Sequence, residues 1–174
     1  MNYIPDFSRI NDKKFRIYVD GSYNHEIKLG AIGCCFPKEY RGYNIEAPQN
    51  YYSKIYQTKG SIDMEILAIK KGLELLTKLL KNNPFLKECV IRIKTDCKYL
   101  ASYIKDGRQK PYDKNVYSEN HIILLQEIRE QLKSLQKSYK VKITHIPRKL
   151  NFAHNYCYSI LRKKYEQILK KNIK

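Results

Sequence analysis

Long apolar runs are missing from this sequence: nothing in its 174 residues approaches the roughly 18 apolar residues that a membrane-spanning helix needs. The opening MNYIPDFSRINDKK also lacks the apolar segment of a secretory signal, and Asp6 and Asp12 argue against a transit peptide. The expectation is a soluble intracellular chain with no membrane partner, its compartment (cytoplasm or nucleus) left open. Closely spaced cysteine pairs are missing too. Cys34, Cys35, Cys89, Cys97 and Cys157 are odd in number and contain no CxxC, which excludes a zinc site built from paired ligands. Buried free thiols in a reducing compartment are expected instead. No repeat, low-complexity block or Pro/Gly/Ser linker divides the chain. It reads as one domain over residues 15–174 behind a polar lead of residues 1–14. Acids are scarce: 17 Asp plus Glu against 34 Lys plus Arg leave a formal charge of +17.

What is present is enough for a core, with 43% hydrophobic and 12% aromatic residues, so wholesale disorder is excluded. The charge makes a polyanion the natural partner, nucleic acid ahead of an anionic membrane. Along the chain, Phe15–Asp20 is β-branched and aromatic and is stopped by Gly21-Ser22. Leu29–Phe36 is a second strand, and Ile45–Gln57 a third strand region with a loop around Pro48. Ser61 offers an N-cap for a helix carrying Ile62, Ile66, Ile69, Leu73, Leu76 and Leu80 on one face, which Asn82-Asn83-Pro84 ends. Cys89–Thr95 is a fourth strand, Tyr99–Ile104 a short helix and Gly107–Asn115 a basic loop. Ser118 caps a long helix with Ile122, Leu125, Ile128, Leu132 and Leu135 in register. Val141–His145 is a fifth strand and Phe152–Leu169 the last helix. The order predicts an α/β fold: a five-stranded mixed sheet flanked by helices.

Three acids sit where chemistry is a better reason than structure. Asp20 and Asp96 each end an apolar strand, and strands one and four can be neighbours. Glu65, in the first turn of its helix, shares a stripe with Ala68, Ile69 and Gly72 that faces the sheet. Each alone has an ordinary explanation as a turn former or a helix-dipole partner. Together in a basic protein, three converging carboxylates repel each other unless a cation sits among them. Hard oxygen donors without a Cys/His cluster point to Mg²⁺, with Mn²⁺ as a substitute. Two such ions about 4 Å apart are a known apparatus for phosphodiester hydrolysis.

These segments carry a resemblance. Tyr18-Val19-Asp20-Gly21-Ser22 resembles the first motif of type 1 ribonuclease H, and Ser61 to Ala68 with Gly72-Leu73 resembles the second. Thr95-Asp96-Cys97-Lys98-Tyr99-Leu100 is similar to the third, with Cys97 where Ser is usual. His145-Ile-Pro-Arg-Lys-Leu-Asn151 is similar to the family's histidine loop, and the likeness runs from about Phe15 to Leu161. The resemblance implies a ribonuclease H-like fold and endonucleolytic cleavage of the RNA strand of RNA–DNA hybrids with two divalent ions. It implies Asp20, Glu65 and Asp96 as metal ligands, and His145 on a mobile loop assisting proton transfer or product release.

The sequence departs from the pattern at the family's fourth carboxylate. Counted from Asn151, that position is Asn155, and a one-residue slip gives His154; neither is an acid. An amide still offers a carbonyl oxygen to a hard cation, without the charge. Asn155 is therefore the expected fourth ligand, in a site weakened by one charge. Candidate phosphate contacts are Lys98, Arg108, Lys110, Lys114, Arg148 and Lys149, on loops or element ends near the acids. The partner expected is an RNA–DNA hybrid, with the chain acting as a monomer. Two other readings stay open: a catalytically inactive module of this fold that binds nucleic acid or protein, and an integrase-like or structure-specific DNA nuclease.

Overall fold

The structure, a computed structural model, describes residues 14–47, 49–106 and 117–172. Its elements are β1 (Lys14–Asn24), β2 (Leu29–Cys35), β3 (Glu39–Tyr40), β4 (Tyr43–Asn44), β5 (Tyr51–Gln57), α1 (Ser61–Asn82), β6 (Val90–Thr95), α2 (Lys98–Asp106), α3 (Glu119–Gln136), β7 (Lys140–His145) and α4 (Ala153–Asn172). The main sheet has five strands in the order β5-β2-β1-β6-β7, and β3 and β4 form a separate small hairpin. β5, β2 and β1 are antiparallel neighbours, whereas β1–β6 and β6–β7 are parallel. The mixed sheet flanked by helices is therefore the architecture expected from the element order.

Period-two alternation sets the two faces of the sheet. Phe15, Ile17 and Val19 of β1, with Ile91 and Ile93 of β6 and Val141 and Ile143 of β7, are buried in one cluster with α1, α2 and α3. Helix α1 supplies Ile66, Ile69, Leu73 and Leu76 to it, at the helical spacing read from the sequence. A Cβ on Gly72 would lie 2.5 Å from Val19 Cγ1, so glycine is what lets α1 settle onto β1. Helix α4 packs on the opposite face, over β2, β1 and β5.

Several sequence-based boundaries shift. β1 does not stop at Asp20; it runs to Asn24 because Gly21–Asn24 pair with Ile32–Leu29 in the hairpin to β2. The third strand region holds β5 from Tyr51, while Ile45 follows the β3–β4 hairpin. The cap of α1 is Gly60 without a side-chain hydrogen bond, rather than Ser61, since Thr58 Oγ1 takes the Gly60 N–H and donates to Asp63. Ser118 does cap α3, in a reciprocal box with His121. Residues 1–13, and the 107–115 basic loop, lie outside the described residues.

Candidate functional site

The parallel β1–β6 ladder ends at the pair Tyr18↔Lys94. Asp20 and Asp96 each lie two residues further along, so they emerge side by side at the same end of neighbouring strands. Asp20 is carried by the continuing β1–β2 hairpin, and Asp96 follows the last residue of β6. The third acid comes from above. A Cβ on Gly21 would lie 2.4 Å from the Met64 carbonyl carbon and 2.5 Å from the Glu65 nitrogen. Gly21 thus lets α1 descend onto β1 and sets Glu65 over Asp20. Because α1 begins at Ser61, Glu65 opens its second turn rather than sitting in the first.

One oxygen from each of Asp20, Glu65 and Asp96 lies within 4.8 Å of the others. Burial raises the Asp20 carboxyl to about 6, helped by the neighbouring charge and hydrogen bonding of Asp96. Glu65 is pushed well above the usual carboxylate range, first by burial and then by the charges of Asp20 and Asp96. Asp20 Oδ1 and Glu65 Oε2 are buried without a hydrogen-bond partner. Oxygens paired with nothing, in a cluster of like charges, are costly unless a cation satisfies them. The donor set is all oxygen, and it fits a hard divalent ion.

Helix α4 closes the other side of Asp20. His154 Nδ1 lies 2.7 Å from Asp20 Oδ2, and Cys157 Sγ lies 3.2 Å from the same oxygen. Asn155 is exposed, and the α4 ring that meets Asp20 belongs to His154. The cause is the helix phase: Ala153, Cys157 and Leu161 are the buried stripe of α4, which leaves Asn155 turned outward. Asn151, unremarked by the sequence reading except as a motif end, is buried between the two aspartates' strands. Its Nδ2 donates to Val19 O at 2.9 Å and to Asp96 Oδ1 at 3.1 Å, and its Oδ1 accepts from Ala153 N at 3.3 Å. The fixed step from His145 to Asn151 was the available signal for it. For Cys157, read only as a buried thiol, no such signal existed.

Arg148 Nε lies 3.5 Å from Asp96 Oδ2, so one expected phosphate ligand already touches an acid. Lys98 opens α2, next in sequence but one to Asp96, and Lys149 is exposed beside Arg148. Arg108, Lys110 and Lys114 lie outside the described residues. His145 is the last residue of β7 rather than part of a loop, because its backbone pairs with Thr95 in the parallel ladder. Its side chain lines an open cavity of about 580 Å³ with Arg92, Lys105, Arg129, Lys133 and Lys142. None of the three acids lines that cavity.

The RNase H family model matches residues 12–155 of the chain. No curated protein matches it in sequence. Similar solved structures include the N-terminal RNase H domain of rv2228c from Mycobacterium tuberculosis, studied as a fusion with maltose-binding protein. That domain is 14% identical, with a TM-score of 0.59, over 89% of this chain and 98% of the other. LC11-RNase H1, isolated from compost by a metagenomic approach, is 15% identical with a TM-score of 0.64, over 88% and 99% of the two chains. The same LC11-RNase H1 in complex with an RNA/DNA hybrid gives a TM-score of 0.55 at 15% identity, over 82% and 92%. At these identities the likeness establishes the fold.

Proposed function

Because the chain belongs to the RNase H family, we propose that it is an endonuclease that hydrolyses the RNA strand of RNA–DNA hybrids. The observation that carries this reading is the convergence of Asp20, Glu65 and Asp96, with two buried and unpartnered oxygens among them. In a basic protein such a cluster is satisfied by divalent cations, and its hard donors suit two Mg²⁺ ions, with Mn²⁺ able to substitute. Ions held by these carboxylates would offset the negative charge of the scissile phosphate and favour deprotonation of an attacking water. The hybrid bound by LC11-RNase H1 supports the same substrate class here.

The chain's own residues divide the remaining work. Asn151 fixes the Asp96 carboxylate against β1, holding the two aspartates at one spacing. Arg148, mostly exposed, can exchange its Asp96 contact for a phosphate oxygen when a strand lies across the acids. Lys149 is its neighbour in sequence and Lys98 opens α2 two residues after Asp96, and both are candidates for further phosphate contacts, as are Arg108, Lys110 and Lys114, which lie outside the described residues. His145, exposed at the end of β7, moves a proton to or from the leaving group. The fourth position is assigned to His154, in place of Asn155, because His154 is the α4 side chain at Asp20.

The test is cleavage of labelled RNA–DNA hybrid, duplex RNA and duplex DNA in Mg²⁺ or Mn²⁺, with Asp96→Asn beside the natural protein. Hybrid-specific cleavage lost in Asp96→Asn is expected. Hybrid that is bound but left intact by the natural protein in both metals would leave a non-catalytic binding module.

A further inference from the structure

We propose that Asp20, His154 and Cys157 form a mixed oxygen–nitrogen–sulfur site for a borderline divalent ion of the Zn²⁺ type. It is separate in chemistry from the all-oxygen set that Asp20 shares with Glu65 and Asp96. The ligand atoms of the three residues lie within 4.8 Å of one another. Asp20 Oδ2 is 2.7 Å from His154 Nδ1 and 3.2 Å from Cys157 Sγ, and the side chains of Asp20 and Cys157 are fully buried. A tetrahedral ion with bonds of about 2.0 Å to O and N and about 2.3 Å to S needs these atoms roughly 3.3–3.6 Å apart. Asp20 and His154 need part by only about half an ångström to reach that spacing, and His154, partly exposed, has room to move. Asp20 Oδ1, buried and unpartnered, is a second observation that the carboxylate is set for a cation.

The chemistry selects the ion. Mg²⁺ demands hard oxygens and octahedral geometry, whereas imidazole and thiolate favour Zn²⁺ and its neighbours. In the metal-free chain the Cys157 thiol donates toward Asp20, and burial beside that carboxylate strongly opposes its ionisation. A dication at this point reverses the local field and displaces the thiol proton to solvent. The paired-cysteine zinc pattern absent from the sequence is not needed, since the ligands come from β1 and two turns of α4. Sharing Asp20 gives the pair of positions unequal metal preferences. The inference rests on the nuclease reading through Asp20 and His154, both of which that reading also uses; Cys157 belongs to this site alone.

The experiment is titration of the metal-free protein with Co²⁺, a spectroscopic stand-in for Zn²⁺, with Zn²⁺ as competitor. Expected are a sulfur-to-cobalt charge-transfer band, its displacement by Zn²⁺, its loss in Cys157→Ser, and Co²⁺ affinity more than roughly tenfold weaker in His154→Gln. A band retained in Cys157→Ser would assign it to other cysteines and overturn the site, as would no band in the natural protein. Should Cys157→Ser not fold, undiminished affinity in His154→Gln overturns it. The readout requires no hybrid, so failure of hybrid cleavage does not bear on it.

A second inference rests on a different face. In the β1–β6–β7 register, Arg16 pairs with Arg92 and Arg92 with Lys142; Lys94 and Lys140 project on the same side. Helix α4 packs on β2, β1 and β5, whereas among the described residues the helices that meet β6 and β7 (α1, α2 and α3) cover the opposite face, where Ile91, Ile93, Val141 and Ile143 are buried. Among the described residues, none of Arg16, Arg92, Lys94, Lys140 and Lys142 makes an ion pair. Like charges directly across strands are destabilising, and the one acid lining the cavity that Arg92 and Lys142 share, Asp106, is outnumbered there by Lys105, Arg129 and Lys133, so the lattice suits an anionic partner. We infer that this sheet face holds the phosphate backbone of a nucleic-acid duplex, apart from the strand at the acids. Arg92→Gln with Lys142→Gln should lower the slope of log affinity for duplex DNA against log salt by about 2, through two lost phosphate contacts. Cleavage of a short hybrid at saturation should not change. An unaltered slope, or tighter binding of poly-glutamate than of duplex, would overturn the assignment.

Discussion

Asp20→Asn should make the metal-free protein more stable at neutral pH, against the usual expectation for a buried polar side chain. Asp20 is fully buried, and burial with the Asp96 charge lifts its carboxyl from 3.8 to about 6. Below about pH 3.9 the folded and unfolded chains both carry the proton, and no penalty exists. As pH rises toward 6 the unfolded chain releases its proton first, so stability falls. Above 6 the whole penalty is present. At about 1.4 kcal/mol for each tenfold in the proton equilibrium, the ceiling is about 3 kcal/mol. The amide accepts the His154 and Cys157 contacts less strongly, so the expected gain at pH 7.5 is roughly 1–3 kcal/mol, or some 3–9 °C in Tm. Urea unfolding in chelator at pH 7.5 and pH 3.5 measures it. The gain should vanish at the lower pH, and added Mg²⁺ should shrink it at the higher, because bound cations favour the charged native site. An Asp20→Asn protein less stable than the natural one at pH 7.5 in chelator would refute the reasoning. The carboxylate would then be held more by its donors than penalised by its surroundings.

Glu65→Gln should fold normally and lose at least about a hundredfold in single-turnover hybrid cleavage in Mg²⁺, since an amide keeps the shape and removes the charge. Gly21→Ala should cost about 1–3 kcal/mol or more in denaturant and reduce cleavage with it, because the added methyl meets the Met64–Glu65 backbone rather than a movable side chain. His154→Asp should tighten Mg²⁺ binding and raise cleavage at low Mg²⁺, whereas Asn155→Asp, on an exposed position, should do neither. Equal gains from both across a metal titration would mean that α4 turns differently when metal is bound.

The sheet was legible because alternation is local: Phe15, Ile17 and Val19 against Arg16, or Ile91 and Ile93 against Arg92, announce a face without any knowledge of the partner strand. The acids were legible for the same reason, each being an exception in an apolar segment. What the residues alone did not disclose depends on pairing and phase. Gly21-Ser22 read as a stop, yet the β1–β2 hairpin carries the strand through them, since Gly21 answers to α1 above it rather than to a turn. The fourth ligand shows the limit most sharply. Counting from Asn151 fixes a distance along the chain, but one residue on a helix is a rotation of about 100°. The rotation is set by packing: a Cβ on Gly33 would lie 2.6 Å from Ala153 O and 3.3 Å from Cys157 Cβ, so β2 holds α4 close through that pair. With Ala153 and Cys157 against the sheet, His154 stands toward Asp20 and Asn155 toward solvent. The stripe Ala153–Cys157–Leu161 was visible as an i, i+4 pattern, and the helix phase read from it puts His154 beside Asp20, where the motif count points to Asn155.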